Sequence, residues 1–131
     1  NAGGDMKVLG TKFGTPWRIA IKHPRKPDEV IAMVPLANTC MVTSGDYERF
    51  FEYEGERYHH ILDPRTGSPA TGAMSVTVIA PDAAFADALA TALAVLGPER
   101  GLPIVEGLDR VECLIVGMDG KITRSTGLPR E

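Results

Sequence analysis

Residues 74–96, MSVTVIAPDAAFADALATALAVL, change from a strand pattern to a helix pattern within one stretch of the chain. From Met74 to Ile79 the side chains alternate with a period of two, which predicts a β-strand. After the start signal Pro81-Asp82, apolar residues recur on one helical stripe that comprises Phe85, Leu89, Ala92, Leu93 and Leu96. The stretch therefore predicts a strand followed by one long helix from Asp82 to Leu96.

The segments on both sides of this stretch predict mostly strands. Gly97-Pro98 ends the long helix, and a second short helix is expected at Glu99–Glu106. The expected strands are Met6–Leu9 and Trp17–Ile21 as a hairpin around Gly14-Thr15-Pro16, Val30–Leu36 after a surface loop at 24–27, Cys40–Thr43, the hairpin Phe50–Tyr53 with Arg57–Leu62, and the closing hairpin Val111–Val116 with Lys121–Arg124. Antiparallel hairpins around one helical region predict an α+β fold, a mostly antiparallel sheet with helices packed on one face.

The composition is that of one folded domain. The chain has 131 residues, of which 44% are hydrophobic and 24% charged, as in ordinary globular proteins. A net charge of −3 with scattered basic residues gives no footprint for nucleic acid or an anionic membrane. The chain begins Asn1-Ala2-Gly3-Gly4 without the pattern of a signal segment. Because its first residue is not Met and it opens in a glycine turn, we expect the natural N-terminus to lie upstream. Cys40 and Cys113 are expected to be small buried hydrophobes, with a disulfide as the alternative.

Asp87 and Thr91 lie one helical turn apart on a face of small residues. Their Cβ atoms are expected about 5–6 Å apart, so a carboxylate and a hydroxyl converge on one point. Oxygen pairs of this kind suit magnesium, which completes its octahedron with phosphate and water. On spacing alone the alternative is an exposed Asp in the first turns of a helix, favoured by the helix dipole, with Thr91 simply packing.

The segment His59-His60-Ile61-Leu62-Asp63-Pro64-Arg65-Thr66-Gly67 ends a predicted strand in a tight turn. Strand alternation sends His59 and His60 to opposite faces, so only one of them can face a site. A histidine beside a tight turn is well placed to accept a proton near neutral pH or to bind phosphate. The alternative is one exposed and one packed histidine without a catalytic role.

Two further polar segments are weaker candidates. Thr43-Ser44-Gly45-Asp46-Tyr47 is expected to be a polar turn whose amides and hydroxyls hold a ligand's phosphates or ribose. Gly3-Gly4-Asp5 is a turn that either approaches a ligand or simply connects two strands.

Taken together, these four motifs and the helix end Val95-Leu96-Gly97 resemble the FAD:protein FMN transferases, the ApbE family. The resemblance implies an ApbE-type, T-fold-like domain. It also implies the family's chemistry: a threonine hydroxyl of a target protein cleaves the pyrophosphate of FAD, so that FMN becomes linked to the threonine through a phosphoester and AMP is released. Attack on phosphorus needs a cation and a group that orients or deprotonates the hydroxyl.

Carried over onto this sequence, the resemblance implies that Asp87 and Thr91 are magnesium ligands and that His60 is the catalytic histidine. It also implies that FAD contacts His60, Ile61 and Leu62, with Thr43 and Ser44 in the neighbouring polar turn. Asp63, Pro64 and Gly67 are expected to set the turn and not to touch substrate.

Members of the family are about twice as long as this chain, so the resemblance implies a C-terminal portion that works with an N-terminal half in the same polypeptide or in a partner chain. It further implies FAD and a threonine-bearing acceptor protein, such as a redox-complex subunit, as partners, and an exported, periplasmic or lipid-anchored location. Two alternatives stay open: a module that binds FAD without transfer, and a pyrophosphatase that releases FMN and AMP.

Overall fold

The computed structural model describes Asn1 and residues 4–128, which form nine strands and one long helical stretch. In chain order these elements are β1 (Met6–Val8), β2 (Trp17–His23), β3 (Lys26–Leu36), β4 (Thr39–Gly45), β5 (Phe50–Tyr53), β6 (Glu56–His59), β7 (Ala73–Ala80), α1 (Ala83–Glu106), β8 (Glu112–Gly117) and β9 (Ile122–Arg124).

Five strands form the central sheet in the order β1-β4-β7-β8-β9, with every neighbouring pair antiparallel. Strand β7 lies in the middle and is buried on both faces, which explains why residues 74–80 are so apolar. Val76 and Val78 face a core on the helix side, whereas Ile79 belongs to a second core on the other side. The sheet and its single helical layer confirm the predicted α+β class.

The helix α1 packs on the sheet through a different stripe from the one that the sequence predicted. Its buried residues before the break are Ala86, Ala90, Leu93 and Ala94, whereas Phe85 is 45% exposed. The expectation that Phe85 lies on the buried stripe was therefore wrong. Three alanines on the buried side allow the helix backbone to lie close to the sheet, and Leu93 is the large side chain fully buried there, with Leu89 and Val95 partly buried against the same core. Asp82 caps the helix by accepting a hydrogen bond from the Phe85 N–H at 2.8 Å.

The helical stretch is broken at Gly97, which has φ 74° and ψ 175°. This break separates the predicted long helix from the predicted second one. The backbone at Gly72 fills the space beside it, since a Cβ on Gly97 would lie 2.9 Å from the carbonyl oxygen of Gly72. By length and composition α1 is also apolar enough to span a membrane, but its buried stripe contacts the sheet as a core helix does.

The hairpin of β2 and β3 covers the face of the sheet opposite the helix. The sequence predicted instead that β1 and β2 form a hairpin, and this was wrong, because β1 pairs with β4. The alternation of apolar residues does not identify the partner of a strand. Ile19 and Ile21 of β2 lie opposite Val34 and Ala32 of β3, and this pairing fits the pattern of β2 as well as the predicted pairing with β1 does. The surface loop expected at 24–27 is shorter than predicted, since β3 already begins at Lys26.

The hairpin of β5 and β6 forms a separate two-stranded sheet, as predicted. Strand β6 ends at His59, three residues earlier than predicted, and the chain continues to an isolated bridge between Leu62 and Pro69. Both cysteines are buried and free, as expected. Burial and the neighbouring carboxylates of Glu112 and Glu106 raise the pKa of the Cys113 thiol to about 11.

Candidate active site

An open groove of about 600 Å³ lies beside the β5–β6 hairpin. The groove is lined by residues of the hairpin and of the turn that follows it: Arg49, Phe50, Phe51, Tyr58, His59, His60, Leu62, Gly67, Ser68 and Pro69. The rings of Phe51 and Tyr58 stack with their centroids 5.2 Å apart, and Phe51 is 63% exposed. The lining contains aromatic rings and basic side chains but no carboxylate, which suits a planar or anionic ligand.

The two histidines face opposite ways, as strand alternation predicted. His59 is buried and its Nε2–H donates to the carbonyl oxygen of Ala70 at 3.0 Å. Since a carbonyl can only accept, Nε2 carries the proton, and Nδ1 is left without a partner among the described residues. His60 is exposed at the groove. His59 therefore ties the hairpin to the returning chain, and His60 is the histidine that a ligand can reach.

The imidazole of His60 is oriented by one main-chain oxygen. The carbonyl of Arg49 accepts hydrogen bonds from the His60 backbone N–H at 3.2 Å and from its Nδ1–H at 3.3 Å. Because the acceptor is a carbonyl, the proton of the neutral ring lies on Nδ1. Nε2 is then the atom with the free lone pair, which is the state that a proton acceptor requires.

The turn after His60 is held by its own residues, as the sequence predicted. The carboxylate of Asp63 accepts hydrogen bonds from the Arg65 backbone N–H at 2.9 Å and from its guanidinium at 2.6 Å, and these bonds lower the pKa of Asp63 to about 2. Gly67 adopts φ 72° at the end of the turn. Ala70 N–H then donates to the Ile61 carbonyl at 2.9 Å, which closes the loop.

Of the two residues after His60, only one offers its side chain to a ligand. Leu62 is 52% exposed and lines the groove. Ile61 is 4% exposed and belongs to the core on the helix side. A ligand in the groove therefore has access to the side chain of Leu62, while the side chain of Ile61 anchors the segment in the fold.

Asp87 and Thr91 are both exposed on α1. The hydroxyl of Thr91 lies 3.4 Å from the hydroxyl of Ser44 at the end of β4. Ser44 thus adds a third oxygen next to the pair that the sequence predicted. The described residues contain no group of three or more His, Cys, Asp and Glu side chains that could hold a metal ion. A single carboxylate with hydroxyls still fits magnesium, which commonly takes one or two protein ligands together with phosphate and water.

The expected polar turn at 43–47 begins later than predicted. Thr43 and Ser44 are strand residues, paired with Thr77 and Val76 of β7, so the prediction that they lie in a turn was wrong. Thr43 donates to or accepts from the Thr77 hydroxyl at 2.8 Å on the face opposite Ser44. A ligand on the helix face reaches Ser44 but not Thr43. Gly3, the first residue of the predicted turn Gly3-Gly4-Asp5, lies outside the described residues.

Sequence reasoning missed the role of Asp46, the first residue after β4. Asp46 is 2% exposed, and its two carboxylate oxygens each lie 2.6 Å from the guanidinium of Arg25. Arg57 of β6 approaches the same carboxylate at 3.8 Å. The carboxylate of Asp46 raises the pKa of Arg25 by hydrogen bonding. The only sequence signal was an acidic residue directly after a buried strand.

A sequence model of the ApbE family matches residues 1–115. The FAD:protein FMN transferase of Treponema pallidum is 40% identical over 96% of this chain and 38% of its own length, and that of Rhodobacter capsulatus is 46% identical over 93% of this chain and 23% of its own. Among solved structures, an ApbE protein of Thermotoga maritima has 47% identity and a TM-score of 0.89 over 96% of this chain and 41% of its own. The apo form of the flavinyl transferase ApbE of Pseudomonas stutzeri has 41% identity and a TM-score of 0.73, and the match covers 94% of this chain and 39% of that protein. The chain thus spans well under half the length of these relatives.

Proposed function

Because this chain belongs to the ApbE family, we propose that it carries the proton acceptor and the metal-binding oxygens of an FAD:protein FMN transferase. In the proposed reaction, the hydroxyl oxygen of an acceptor threonine bonds to the phosphorus that carries FMN. The bond from this phosphorus to the bridging oxygen of FAD breaks, and AMP leaves with that oxygen. The observation that carries the proposal is the orientation of His60, whose protonated Nδ1 is held by a carbonyl while Nε2 stays free.

His60 has the position and the tautomer of a general base. Its Nε2 lone pair takes the proton from the threonine hydroxyl as the oxygen attacks phosphorus, and the imidazolium that forms keeps its hydrogen bond to Arg49. Holding the ring before substrate arrives lowers the cost of orienting it in the transition state. The exposed edge of the groove leaves room for a segment of another protein to approach.

Asp87, Thr91 and Ser44 are the residues proposed to hold magnesium against the phosphates of FAD. When bound there, the cation neutralises charge on the pyrophosphate. The contact between Ser44 and Thr91 keeps the hydroxyls together at the junction of β4 and α1. Asp87 is exposed one turn away, so its carboxylate can turn toward a cation without the loss of a buried contact.

The aromatic groove is proposed to accommodate the flavin ring next to His60. Phe50, Phe51 and Tyr58 supply ring faces, and Leu62 supplies an apolar edge. A planar tricyclic ring stacks well on such side chains. The end of β4 links the two parts of the site, since Ser44 contacts α1 and Asp46, two residues later, contacts Arg57 of the hairpin.

The test uses the full-length protein incubated with FAD, MgCl2 and an acceptor protein that contains the target threonine. Transfer is measured as flavin fluorescence on the acceptor after a denaturing gel and as AMP released into solution. We expect His60→Gln to lower kcat by roughly 100-fold or more, since a general base contributes that much. We expect Asp87→Asn to raise the magnesium concentration needed for half-maximal rate by roughly 10- to 100-fold.

Asp82→Asn is the matched control for Asp87→Asn. It makes the same carboxylate-to-amide change at the N-cap of the same helix, where Asn caps as well as Asp, and it should leave activity unchanged. Full activity of Asp87→Asn at low magnesium would contradict the metal assignment. Release of free FMN together with AMP, with no flavin on the acceptor, would indicate a pyrophosphatase, and FAD binding without either product would indicate a binding module.

A further inference from the structure

The carboxylate of Asp46 joins three parts of the fold. Its backbone N–H donates to the Met74 carbonyl of β7 at 3.0 Å, which fixes the residue to the central sheet. Its carboxylate binds Arg25, at the turn between β2 and β3, through two contacts of 2.6 Å. The same carboxylate attracts Arg57 of β6 at 3.8 Å. The sheet and both hairpins therefore meet at one buried negative charge.

The β5–β6 hairpin has few other attachments to the fold. Its contacts between elements are almost entirely those between its own two strands, and all four residues of β5 are exposed. Among the described residues, two polar contacts link it to other parts of the fold, the ion pair of Arg57 with Asp46 and the hydrogen bond from His59 to the Ala70 carbonyl. A two-stranded hairpin is marginally stable by itself, so its orientation depends on these links.

Arg57 passes this restraint on to the groove. Its guanidinium carbon lies 4.1 Å from the ring centre of Phe50, a cation–π contact. Phe50 lines the groove and follows Arg49, whose carbonyl orients the His60 imidazole. The path from Asp46 to His60 is thus one ion pair, one ring contact and one peptide unit.

We propose that Asp46 is a positioning residue, whose buried carboxylate holds the β5–β6 hairpin through Arg57 so that the imidazole of His60 keeps its protonated Nδ1 on the Arg49 carbonyl and its Nε2 toward the groove. The inference rests on the proposed function of His60 as proton acceptor. Asp46 itself is buried and touches no ligand in this role. Arg25 neutralises the buried charge of the Asp46 carboxylate. Arg57 is attracted to the same carboxylate, and this attraction restrains the hairpin.

The test compares Asp46→Asn, Arg57→Gln and the control Glu29→Gln in the full-length protein. Glu29 forms an exposed ion pair with Lys26. The control therefore makes the same change from carboxylate to amide, but at an exposed position. We expect Asp46→Asn and Arg57→Gln to lower kcat for FMN transfer by roughly 10- to 100-fold, since small displacements of a catalytic group cost that much. The KM for FAD should rise as well, because the same hairpin supplies Phe50, Phe51 and Tyr58 to the proposed flavin groove, so the tautomer of His60 is the measurement that separates its orientation from substrate binding.

A second measurement does not depend on activity. In ¹⁵N imidazole spectra, His60 of the unmodified protein and of Glu29→Gln should show the Nδ1–H tautomer, and Arg57→Gln should show a mixture of both tautomers. If Asp46→Asn fails to fold, Arg57→Gln alone decides, because it leaves the pair of Arg25 and Asp46 intact. An unchanged kcat or an unchanged tautomer in a folded Arg57→Gln variant would overturn the inference. Absence of transfer by the unmodified protein would instead refute the proposed function.

Discussion

The contact between Gly72 and Gly97 predicts an ordered series of stabilities in three glycine-to-alanine variants. Gly120→Ala adds a Cβ at φ 79° with no atom within 4 Å, so it should cost only the left-handed backbone, about 1–2 kcal/mol. Gly72→Ala adds a Cβ 2.5 Å from the Ala94 carbonyl oxygen, and such overpacking costs about 1–3 kcal/mol. Gly97→Ala combines φ 74° and ψ 175°, a conformation essentially confined to glycine, with a contact of 2.9 Å to the Gly72 oxygen, so about 2–6 kcal/mol is expected.

The assay is urea unfolding of each full-length variant, followed by circular dichroism and by tryptophan fluorescence. Gly72→Ala isolates the close approach of the two backbones, because Gly72, unlike Gly97 and Gly120, has no positive φ. The close approach would be refuted if Gly72→Ala were as stable as the unmodified protein. It would also be refuted if Gly97→Ala cost no more than Gly120→Ala.

Two further predictions concern the core and the turn. Leu93→Ala should lower the free energy of unfolding by about 2–5 kcal/mol, whereas Phe85→Ala should cost much less because Phe85 is 45% exposed; equal losses in urea unfolding would contradict the buried stripe. Arg65→Gln should raise the pKa of Asp63 from about 2 toward its ordinary value, as followed by ¹³C carboxyl NMR. Because the pKa of folded Asp63 is lowered, its stabilising contribution is present above the unfolded value and is lost as pH falls from about 4 to 2; an unshifted titration in Arg65→Gln would refute the pairing.

The period of the hydrophobic pattern identified most elements of this fold because burial imposes it. The change of period after Ile79 correctly separated β7 from α1, and Gly97 correctly ended the long helix. The pairing of the strands was harder to predict from the sequence, because alternation determines which face of a strand is buried and not which strand lies next to it. The error over β1 and β2 follows from this, since β1 pairs instead with β4, more than 30 residues further along the chain.

Large side chains misled the prediction of the buried helix face. Phe85 is more hydrophobic than Ala86 and Ala90, but it is 45% exposed while the two alanines are buried against the sheet, where their size permits a close approach. A sequence pattern measures hydrophobicity and not the distance between layers.

The site was predictable where it depends on local sequence and not where it depends on distant contacts. Strand alternation correctly assigned opposite faces to His59 and His60, and the Asp63 turn formed as expected. The tie between Arg25 and Asp46 joins residues 21 positions apart, and no local pattern indicates it. Thr43 was grouped with Ser44 because they are adjacent, yet adjacent strand residues face apart.

The atom that accepts the hydrogen bond from the His60 ring is a main-chain oxygen, so no substitution at residue 49 deletes it. An Arg49→Ala substitution would leave this carbonyl in place, so the orientation of the imidazole does not by itself require arginine at position 49. Changes in chain length between 46 and 50 are different, because they shift which carbonyl lies opposite the ring. Natural variation should therefore conserve the spacing of this segment more strictly than the chemistry of its residue 49.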